Sequence, residues 1–475
     1  MEKTTKLLFT AVLLISFGAA TLKGQEDFNL AELKAADVPG MTTDKGFFDF
    51  IKPEKPDNRP APLKEWTVMV FMNAKNNLSD SHLLGLTGKF AKRDIEEMKK
   101  VGTTGSVNVV VEHGIKGEGS RRLLIEKKSG LFSSGEKVYG EYPSADMGDY
   151  TRVIDFVKWA KTAFPAKRYM LVLWNHGLGW IDPTQALQTA GTGASQKGVL
   201  FDDETKNYVR TRQLGEILRQ TGYVDVFAMN ACLMQMAEIG YEAKDYTGLI
   251  LASEETMLAQ GFNYEKLLGF MNANPAFTEE QLSDFMMNWY RQFMADGMNV
   301  GPLNVPLGDI GATLSTVRAK ALNELPPYLD AFANAAIRNN ETDAVKKAVE
   351  SAVRFSSLAP EEDKKKMIAP YVDLYDFAAI TGANARSQAT KQAAENLMGF
   401  IRSRLVMRSV GLNKDAENGY DYARAGGISV NMTMKAKTLP EALSAIYETK
   451  YAELSLSRAS QWDEFINWTD DIWRK

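Results

Sequence analysis

The chain has 475 residues, of which 45% are hydrophobic and 24% charged, and its formal net charge is −4. This composition is typical of a globular protein and supplies enough apolar residues for one large domain or two medium ones. The acidic balance argues against a nucleic-acid-binding protein, because binding to phosphates needs a basic face.

Residues 1–24 have the pattern of an export signal. Two lysines precede a short apolar run from Leu7 to Ala20, and this run is too short to predict a membrane span. We predict that the segment is removed, and an uncleaved anchor is the alternative. No cysteine lies near the cleavage site, which excludes a lipid-modified cysteine there. The mature protein is therefore expected to be periplasmic or secreted, without stable membrane insertion.

A proline-rich segment follows at 25–64. Four prolines in its last part fix an extended chain that has few ladder hydrogen bonds, so we interpret the segment as a linker or a pro-segment. The prolines are Pro53, Pro56, Pro60 and Pro62.

From Trp66 onward, short apolar runs alternate with amphipathic runs at helical spacing. This alternation predicts an α/β fold in which a mostly parallel sheet lies between helices, forming a domain over 65–270. The predicted strands are Trp66–Met72, Val107–His113, Tyr169–Trp174, Val224–Met229 and Gly248–Ser253. The predicted helices are Phe90–Gly102, Tyr150–Phe164, Thr211–Gly222 and Leu233–Lys244.

The remainder, 271–475, is predicted to be a mixed, helix-rich part that completes the catalytic domain or packs on it. A capping box at Thr278–Gln281 opens a helix towards Met294. Further helical patterns cover 341–354, 386–406 and 440–458, and the tail from Trp462 reads as a packed terminal helix. Strand-like pieces at Ala312–Val317 and Gly427–Met434 could extend the same sheet.

The only cysteine of the chain, Cys232, follows the fourth predicted strand, and His176 follows the third. Cys232 is either an inert buried thiol or a reactive one. If the two strands are neighbours, imidazole and thiol meet at the carboxyl edge of the sheet, where ligands bind in such folds. A helix beginning at Leu233 would favour the thiolate, and the N–H groups of Gly177 and Cys232 could hold an oxyanion.

The other two histidines are expected to be non-catalytic, His82 as a surface residue and His113 as a strand end. Three histidines without close spacing argue against a zinc site. The pair Asp202–Asp203 is predicted to form a turn or a helix cap, with a calcium contact as the alternative. No cofactor is expected to be required.

Several ordered motifs resemble the clostripain family of cysteine peptidases, which are relatives of caspases, legumains and gingipains. The resemblance covers the chain from about Trp66 into the C-terminal part. The motifs are WNHGLGW at 174–180, FDDE at 201–204, MNACLM at 229–234, AEIGYEAKDY at 237–246, ASEET at 252–256, GFNYEKLL at 261–268 and VDLYDF at 372–377. The resemblance implies a caspase-like three-layer sandwich with His176 and Cys232 as the catalytic dyad. It also implies cleavage of peptide bonds through a thioester, commonly after Arg or Lys, and calcium dependence in some members.

Two departures from the family pattern affect the predicted substrate-binding residues. Asn230 stands where the family has an aspartate that holds a basic side chain, and Gln260 precedes Gly261 in the loop after the fifth strand. A neutral amide supplies no opposite charge to a buried basic group. Ser253 and Glu254 are also predicted to contact substrate. Glu254 or Glu255 could supply the missing charge, with a solvated or structural role as the alternative.

The family is often activated by cleavage between the histidine and the cysteine, and loop 181–198 is the predicted place in this chain. An ordinary surface loop is the alternative. Two other functions stay open at this stage: a non-catalytic secreted binding protein, and a transpeptidase that passes the acyl group to an amine. As an endopeptidase, the protein would act on proteins or peptides, and we expect a monomer.

Overall fold

The computed structural model describes residues 63–83, 86–88, 90–130, 133–184, 198–300, 303–355, 370–416, 418–432 and 448–474. The predicted export signal, nearly all of the proline-rich segment, and residues 185–197 of the predicted activation loop lie outside these residues. Among the described helices, none has the length and apolar character that a membrane crossing requires.

Helices and strands alternate along most of the described chain. The strands are β1 Lys64–Ala74, β2 Ser81–Leu83, β3 Leu86–Gly88, β4 Val107–Ile115, β5 Gly119–Ile125, β6 Glu136–Tyr142, β7 Ala166–Trp174, β8 Val224–Asn230, β9 Thr247–Ala252, β10 Met298–Val300, β11 Leu303–Val305, β12 Ala312–Arg318, β13 Arg354–Phe355, β14 Tyr371–Asp373, β15 Val406–Leu412 and β16 Ser429–Asn431. The α-helices are α1 Asn77–Asp80, α2 Phe90–Val101, α3 Tyr150–Ala163, α4 Thr211–Thr221, α5 Ala237–Ala243, α6 Tyr264–Ala273, α7 Glu279–Asp296, α8 Leu325–Arg338, α9 Thr342–Ser351, α10 Leu374–Asn384, α11 Gln388–Phe400, α12 Ser455–Ala459 and α13 Trp462–Arg474.

One sheet organises the molecule, with the strand order β15-β12-β9-β8-β7-β1-β4-β5-β6 within the described residues. The five central strands, β9 to β4 in this order, run parallel, and the two strands at each end run antiparallel to their neighbours. The chain leaves β1 towards β4 on one side and later returns through β7, β8 and β9 on the other. The order reverses between β1 and β7, which is where open α/β sheets bind ligands.

Apolar side chains on the two faces of this sheet form two separate cores. Alternate residues of β7 show the division, because Leu171 and Leu173 face α3, α4 and α5, whereas Met170 and Val172 face α2, α6 and α7. A strand buried on both faces reads as a continuous apolar run, which is why the sequence pattern predicts the central strands correctly. The predicted α/β fold, with helices on both faces of a large sheet, is confirmed.

The sheet continues past residue 271, because β12 pairs with β9 and β15 pairs with β12. The predicted strand Ala312–Val317 is therefore part of the main sheet, whereas Ser429–Asn431 pairs with β14 in a small separate sheet. Strand β15 is not predicted from the sequence, since the helical pattern of 386–406 runs directly into it. The helix ends at Phe400, and a single π-turn at Ile401–Leu405 leads directly into the strand.

The prediction of a helix from Leu233 to Lys244 is wrong in its first four residues, because α5 begins at Ala237. Leu233 has a left-handed backbone with φ of 64°. The amide N–H groups of Leu233 and Gln235 donate to the carbonyls of Glu255 and Ser253 just beyond β9. These contacts with the neighbouring strand replace the hydrogen bonds of a helix turn, so Cys232 is not at a helix N-terminus.

Candidate active site

His176 and Cys232 come together at the carboxyl edge of the central sheet. β7 and β8 are adjacent parallel strands whose last residues, Trp174 and Asn230, pair directly. His176 lies two residues beyond one strand and Cys232 two residues beyond the other, and both line the same cavity. The strand pairing therefore places the imidazole and the thiol side by side, as the sequence predicts.

The cavity is small, with a volume of about 30 Å³. That is room for about one water molecule and not for a substrate side chain. Its lining residues are Leu78, Trp174, Asn175, His176, Asn230, Ala231, Cys232, Met257, Leu258, Ala259 and Gly261. This lining, drawn entirely from described residues, includes no carboxylate.

The imidazole of His176 is buried and is held by Asn77, the first residue of α1. Its Nε2 lies 2.8 Å from Oδ1 of Asn77. With the Asn77 amide oxygen towards the ring, Nε2 carries the proton and Nδ1 is the basic nitrogen of the neutral ring. Asn77 therefore helps to orient the ring.

A group of asparagine side chains fixes the backbone around His176. The amide nitrogen Nδ2 of Asn175 donates to the carbonyls of Asn73 at 2.7 Å and Phe201 at 3.1 Å. Oδ1 of Asn175 accepts from the backbone N–H of His176, and Asn76 donates a further bond to the Phe201 carbonyl at 3.2 Å. These neutral amides join the ends of β1 and β7 to the chain that follows the predicted activation loop.

The thiol of Cys232 is partly buried and lies against the segment that follows β9. The backbone N–H of Met257 points at Sγ, with an N–S distance of 3.4 Å. Burial raises the pKa of the Cys232 thiol to about 11. In this closed arrangement the thiol is protonated at neutral pH, in contrast to the thiolate that a helix N-terminus would favour.

Gly177 packs directly against the backbone of Cys232. A Cβ atom at residue 177 would lie 2.3 Å from the carbonyl oxygen of Cys232, so any larger residue would displace one of the two segments. This close approach gives a physical reason for glycine beside the histidine. It also brings together the two residues whose N–H groups are predicted to form the oxyanion site.

Asn230 lines the cavity beside Gly261. A Cβ atom on Gly261 would lie 2.3 Å from Oδ1 of Asn230, so the loop after β9 closes directly on this side chain. Nδ2 of Asn230 lies 3.4 Å from the hydroxyl of Tyr264. Gln260 itself does not line the cavity. Its side-chain oxygen is buried with no hydrogen-bond partner among the residues that the structure describes, and its backbone carbonyl accepts from Arg93 at 2.8 Å.

A buried carboxyl lies behind the cavity wall. Asp94 on α2 accepts a hydrogen bond of 2.8 Å from Nε1 of Trp174, a residue that lines the cavity. Arg93 donates to the same carboxyl at 3.3 Å. Burial nevertheless raises the pKa of Asp94 well above its ordinary value. The group is fully enclosed, so it does not reach the cavity.

The structure places the remaining two predicted substrate-binding residues behind the cavity. The hydroxyl of Ser253 lies 3.0 Å from that of Thr313 and donates to the carbonyl of Glu255 at 2.8 Å. Glu254 is buried beside Asp373, and burial together with that carboxylate raises the pKa of Glu254 well above its ordinary value. Neither residue belongs to the cavity lining, and their contact with substrate stays a prediction.

Two of the residues set aside in the sequence analysis have defined surroundings. His113 is buried on β4, neither ring nitrogen has a hydrogen-bond partner among the described residues, and burial lowers its pKa to about 3. Asp202 accepts hydrogen bonds from the backbone N–H groups of Met147, Glu204 and Thr205, as expected for a turn.

The described residues contain no cluster of three or more histidines, cysteines or acids suited to a metal ion. The side chain of His82 lies outside the described part.

The sequence analysis missed Asn77, Asn175 and Met257. The first two could have been found, because NAKNN follows β1 and WNH ends β7, at the strand ends where ligands bind. Met257 carries no such signal, since its role depends on how the loop after β9 folds back.

Comparisons with known proteins find similarity to one family. The model of the Clostripain family matches residues 70–468. Clostripain from Hathewaya histolytica is 23% identical over 406 residues, which cover 72% of this chain and 70% of that protein.

Solved structures share the fold. A secreted C11 cysteine protease from Bacteroides thetaiotaomicron, in complex with an irreversible peptide inhibitor, superposes with a TM-score of 0.57 at 18% identity, covering 84% of this chain and 100% of that one. An inactive zymogen C11 protease from Parabacteroides distasonis gives a TM-score of 0.58 at 16% identity over 84% and 99% of the two chains. At these identities the similarity establishes the fold.

Proposed function

Since the chain belongs to the clostripain family and is accordingly a cysteine endopeptidase, we propose that Cys232 is its nucleophile and His176 its proton-transfer partner. The observation that supports this assignment is the shared cavity at the ends of two adjacent parallel strands. The ring orientation imposed by Asn77 adds to it. The substrates of such an enzyme are proteins or peptides.

The proposed reaction uses the basic Nδ1 of His176. This nitrogen takes the thiol proton as Sγ attacks the scissile carbonyl carbon, and a tetrahedral oxyanion forms. The C–N bond then breaks, the imidazolium donates its proton to the leaving amine, and a thioester remains on Cys232. Water, deprotonated by the same imidazole, hydrolyses the thioester and restores the thiol. This chemistry requires no cofactor.

The N–H groups of Gly177 and Cys232 are the proposed oxyanion donors. Two backbone donors on adjoining segments need no reorganisation during the reaction, and one such donor contributes about 3 kcal/mol of transition-state stabilisation in a peptidase. The contact between Gly177 and the Cys232 carbonyl supports the placement, because it fixes the two segments against each other.

We propose that the closed cavity is a resting state and that cleavage within 181–198 opens it. Both flanks of that loop are anchored: Asp182 accepts from the backbone N–H of Thr211 at 2.9 Å and from the hydroxyl of Thr449, and the Phe201 carbonyl is held by asparagines. After a cut the fragments would stay together, because β7 and β8 pair across the break. A cut would therefore free the loop while the two strands that carry His176 and Cys232 stay paired.

The proposed specificity departs from a strict preference for Arg or Lys before the scissile bond. The lining of the cavity offers the amide of Asn230 and no carboxylate. A basic side chain would be desolvated there without a counter-ion, at a cost of several kcal/mol. We expect Asn230→Asp to raise kcat/KM for Arg and Lys substrates about tenfold relative to neutral ones, and equal effects on both classes would contradict this.

The proposed location is outside the cytoplasm. Its support is the export signal predicted for 1–24, together with a fold shared with a secreted protease of Bacteroides thetaiotaomicron. Calcium stays a proposed modulator without an assigned site.

The decisive experiment is a positional scan of fluorogenic peptides with the mature protein, before and after limited cleavage of loop 181–198. Cys232→Ala and His176→Ala are run in parallel, each with and without calcium. Turnover that both substitutions abolish establishes the assignment, and a product assay with an added amine separates hydrolysis from acyl transfer. Absence of turnover even after loop cleavage would contradict the peptidase and favour a binding protein on the same fold.

A further inference from the structure

A second, larger cleft lies at the β15 edge of the sheet, away from the thiol. Its volume is about 540 Å³, within the range of known ligand sites. The cleft is lined by Tyr375, Asp376, Arg402, Val406, Met407, Arg408, Ser409, Ala423, Arg424, Ala425 and Gly426. Three guanidinium groups and a single carboxylate thus face one cleft in a chain whose net charge is −4.

The three arginines differ in how their charges are compensated. Arg424 is bound through two nitrogens to Asp376, at 3.0 and 2.6 Å, so its charge is paired inside the cleft. Arg408 reaches out of the cleft to Asp284 at 2.6 Å, and both side chains are exposed. A surface pair of this kind contributes about 0–1 kcal/mol, so an incoming anion could readily replace Asp284.

Arg402 is the unpaired member. Its guanidinium stacks on the ring of Tyr375, with its central carbon 4.2 Å from the ring centroid. Among the described residues no carboxylate or other acceptor takes a hydrogen bond or ion pair from it. The ring holds the planar group in place while leaving its N–H donors available, and guanidinium donors match the geometry of carboxylates.

The backbone beside these arginines belongs to an edge strand. Among the described residues β15 is the last strand in the sheet order, and β12 is its one strand neighbour. Two of its carbonyls in the cleft already accept hydrogen bonds, Val406 from Arg318 and Met407 from Arg408. Extended peptides add to sheet edges through the backbone groups that remain. A cleft that combines a strand at the sheet edge with arginines suits an extended, acidic chain better than a small anion alone.

One extended substrate chain could reach from the cleft to the thiol of Cys232. Ser409 pairs with Ser315, which pairs with Ala252 at the end of β9. Three strand spacings of about 4.8 Å and roughly three residue rises put Cys232 on the order of 20 Å from the cleft. About six residues of extended chain cover that distance.

We propose that this arginine cleft is an exosite that docks an acidic, extended segment of a protein substrate while another part of the same chain is cleaved at Cys232. The cleavage step rests on the proposed function, whereas the docking itself does not.

The docking is tested in the full chain carrying Cys232→Ala, so that no turnover interferes. Fluorescence anisotropy compares a labelled Glu- and Asp-rich peptide with a Gln- and Asn-rich peptide of equal length, at low and at physiological ionic strength. We expect the acidic peptide to bind at least about tenfold tighter, and Arg402→Gln to remove about that factor. Arg404→Gln is the matched control, because Arg404 lies two residues away, pairs with Glu324 and does not line the cleft.

Unchanged affinity in Arg402→Gln would overturn the proposal. Equal weakening by Arg404→Gln would do the same, since it would indicate general surface charge, and so would complete displacement of the peptide by low concentrations of inorganic phosphate. In the active enzyme, Arg402→Gln should raise KM for a protein substrate with an acidic tract and leave a short fluorogenic peptide unaffected. If no peptidase activity is found at all, the binding measurement still decides the docking.

Discussion

At the carboxyl edge of the central sheet, the surroundings of His176 and those of Cys232 are built from different chemical groups. On the histidine side, Asn73, Asn76, Asn77 and Asn175 hold the ends of β1 and β7 with neutral amides. On the cysteine side, the segment after β8 is backed by buried carboxyl groups, which are Glu238, Glu254, Glu255 and Asp373. Amides keep the same hydrogen-bonding capacity at every physiological pH, whereas buried carboxyls exchange a proton.

The difference implies that pH acts on the two sides unequally. Burial raises the pKa of both Glu238 and Glu255 to about 7. The amides that hold His176 and the strand ends do not titrate, so their hydrogen bonds should persist while Glu238 and Glu255 gain charge. Carboxyls occur on the histidine side as well, since burial also raises the pKa of Asp94 behind Trp174 and the pKa of Asp182 to about 6. The contrast therefore concerns the groups that hold His176 and not the whole of its side.

The largest expected effect concerns Glu238. Its Oε1 accepts from the backbone N–H of Asn431 and the hydroxyl of Tyr451, each at 2.8 Å, while Oε2 is buried and has no hydrogen-bond partner within the described part of the chain. The folded-state pKa of about 7 exceeds the ordinary value of 4.5, so protonated Glu238 stabilises the folded state. This stabilisation is complete below about pH 4.5 and is lost as the pH rises to 7. Glu238→Gln should remove a pH-dependent loss of about 3 kcal/mol over that range.

Chemical denaturation at pH 4.5 and 7.5 measures this prediction. The exposed Glu265→Gln is the control, and it should retain the wild-type difference between the two pH values. A Glu238→Gln protein with the full wild-type pH dependence would show that the buried carboxyls do not titrate as described.

The second effect tests the amide side. Asn77→Ala removes the acceptor at Nε2 of His176, so the ring can rotate and change tautomer. We expect kcat to fall about 30-fold, equivalent to about 2 kcal/mol, with little change in KM, because proton transfer and not binding is impaired. Steady-state kinetics across pH measures it, with the exposed Asn288→Ala as control. A change in KM alone would indicate a merely structural role.

The smallest effect concerns the cover of the thiol. Met257→Ala enlarges the cavity around Cys232 and admits water, so the thiol pKa should fall from about 11. Alkylation by iodoacetamide at neutral pH should then accelerate about fivefold, because the thiolate is the reactive form. Met398→Ala, at a half-buried site on α11, is the control. Equal alkylation rates in the wild type, Met257→Ala and Met398→Ala would mean that Met257 does not limit the reactivity of the Cys232 thiol.

Much of the central fold could be predicted from the sequence, because strands buried on both faces are unbroken apolar runs. The adjacency of His176 and Cys232 could be predicted on the condition that their two strands are neighbours, because the loops of a parallel sheet meet at the carboxyl ends of its strands. Strand β15 and the turn after Cys232 could not be predicted, since both depend on partners distant in sequence: β12 in one case, Glu255 and Ser253 in the other. After Cys232 the local pattern favoured a helix and tertiary pairing overrode it, whereas β15 was left unassigned after the helical pattern that ends at 406.

The protonated state of Cys232 has a consequence for its resistance to oxidation. Peroxide oxidises thiolates to sulfenic acid and further to irreversible acids, and thiols react far more slowly. A thiol whose pKa is near 11 is almost entirely protonated at neutral pH, so the partly buried Cys232 is protected chiefly by its proton. The one cysteine of the chain would therefore resist peroxide until a change in its surroundings lowers that pKa.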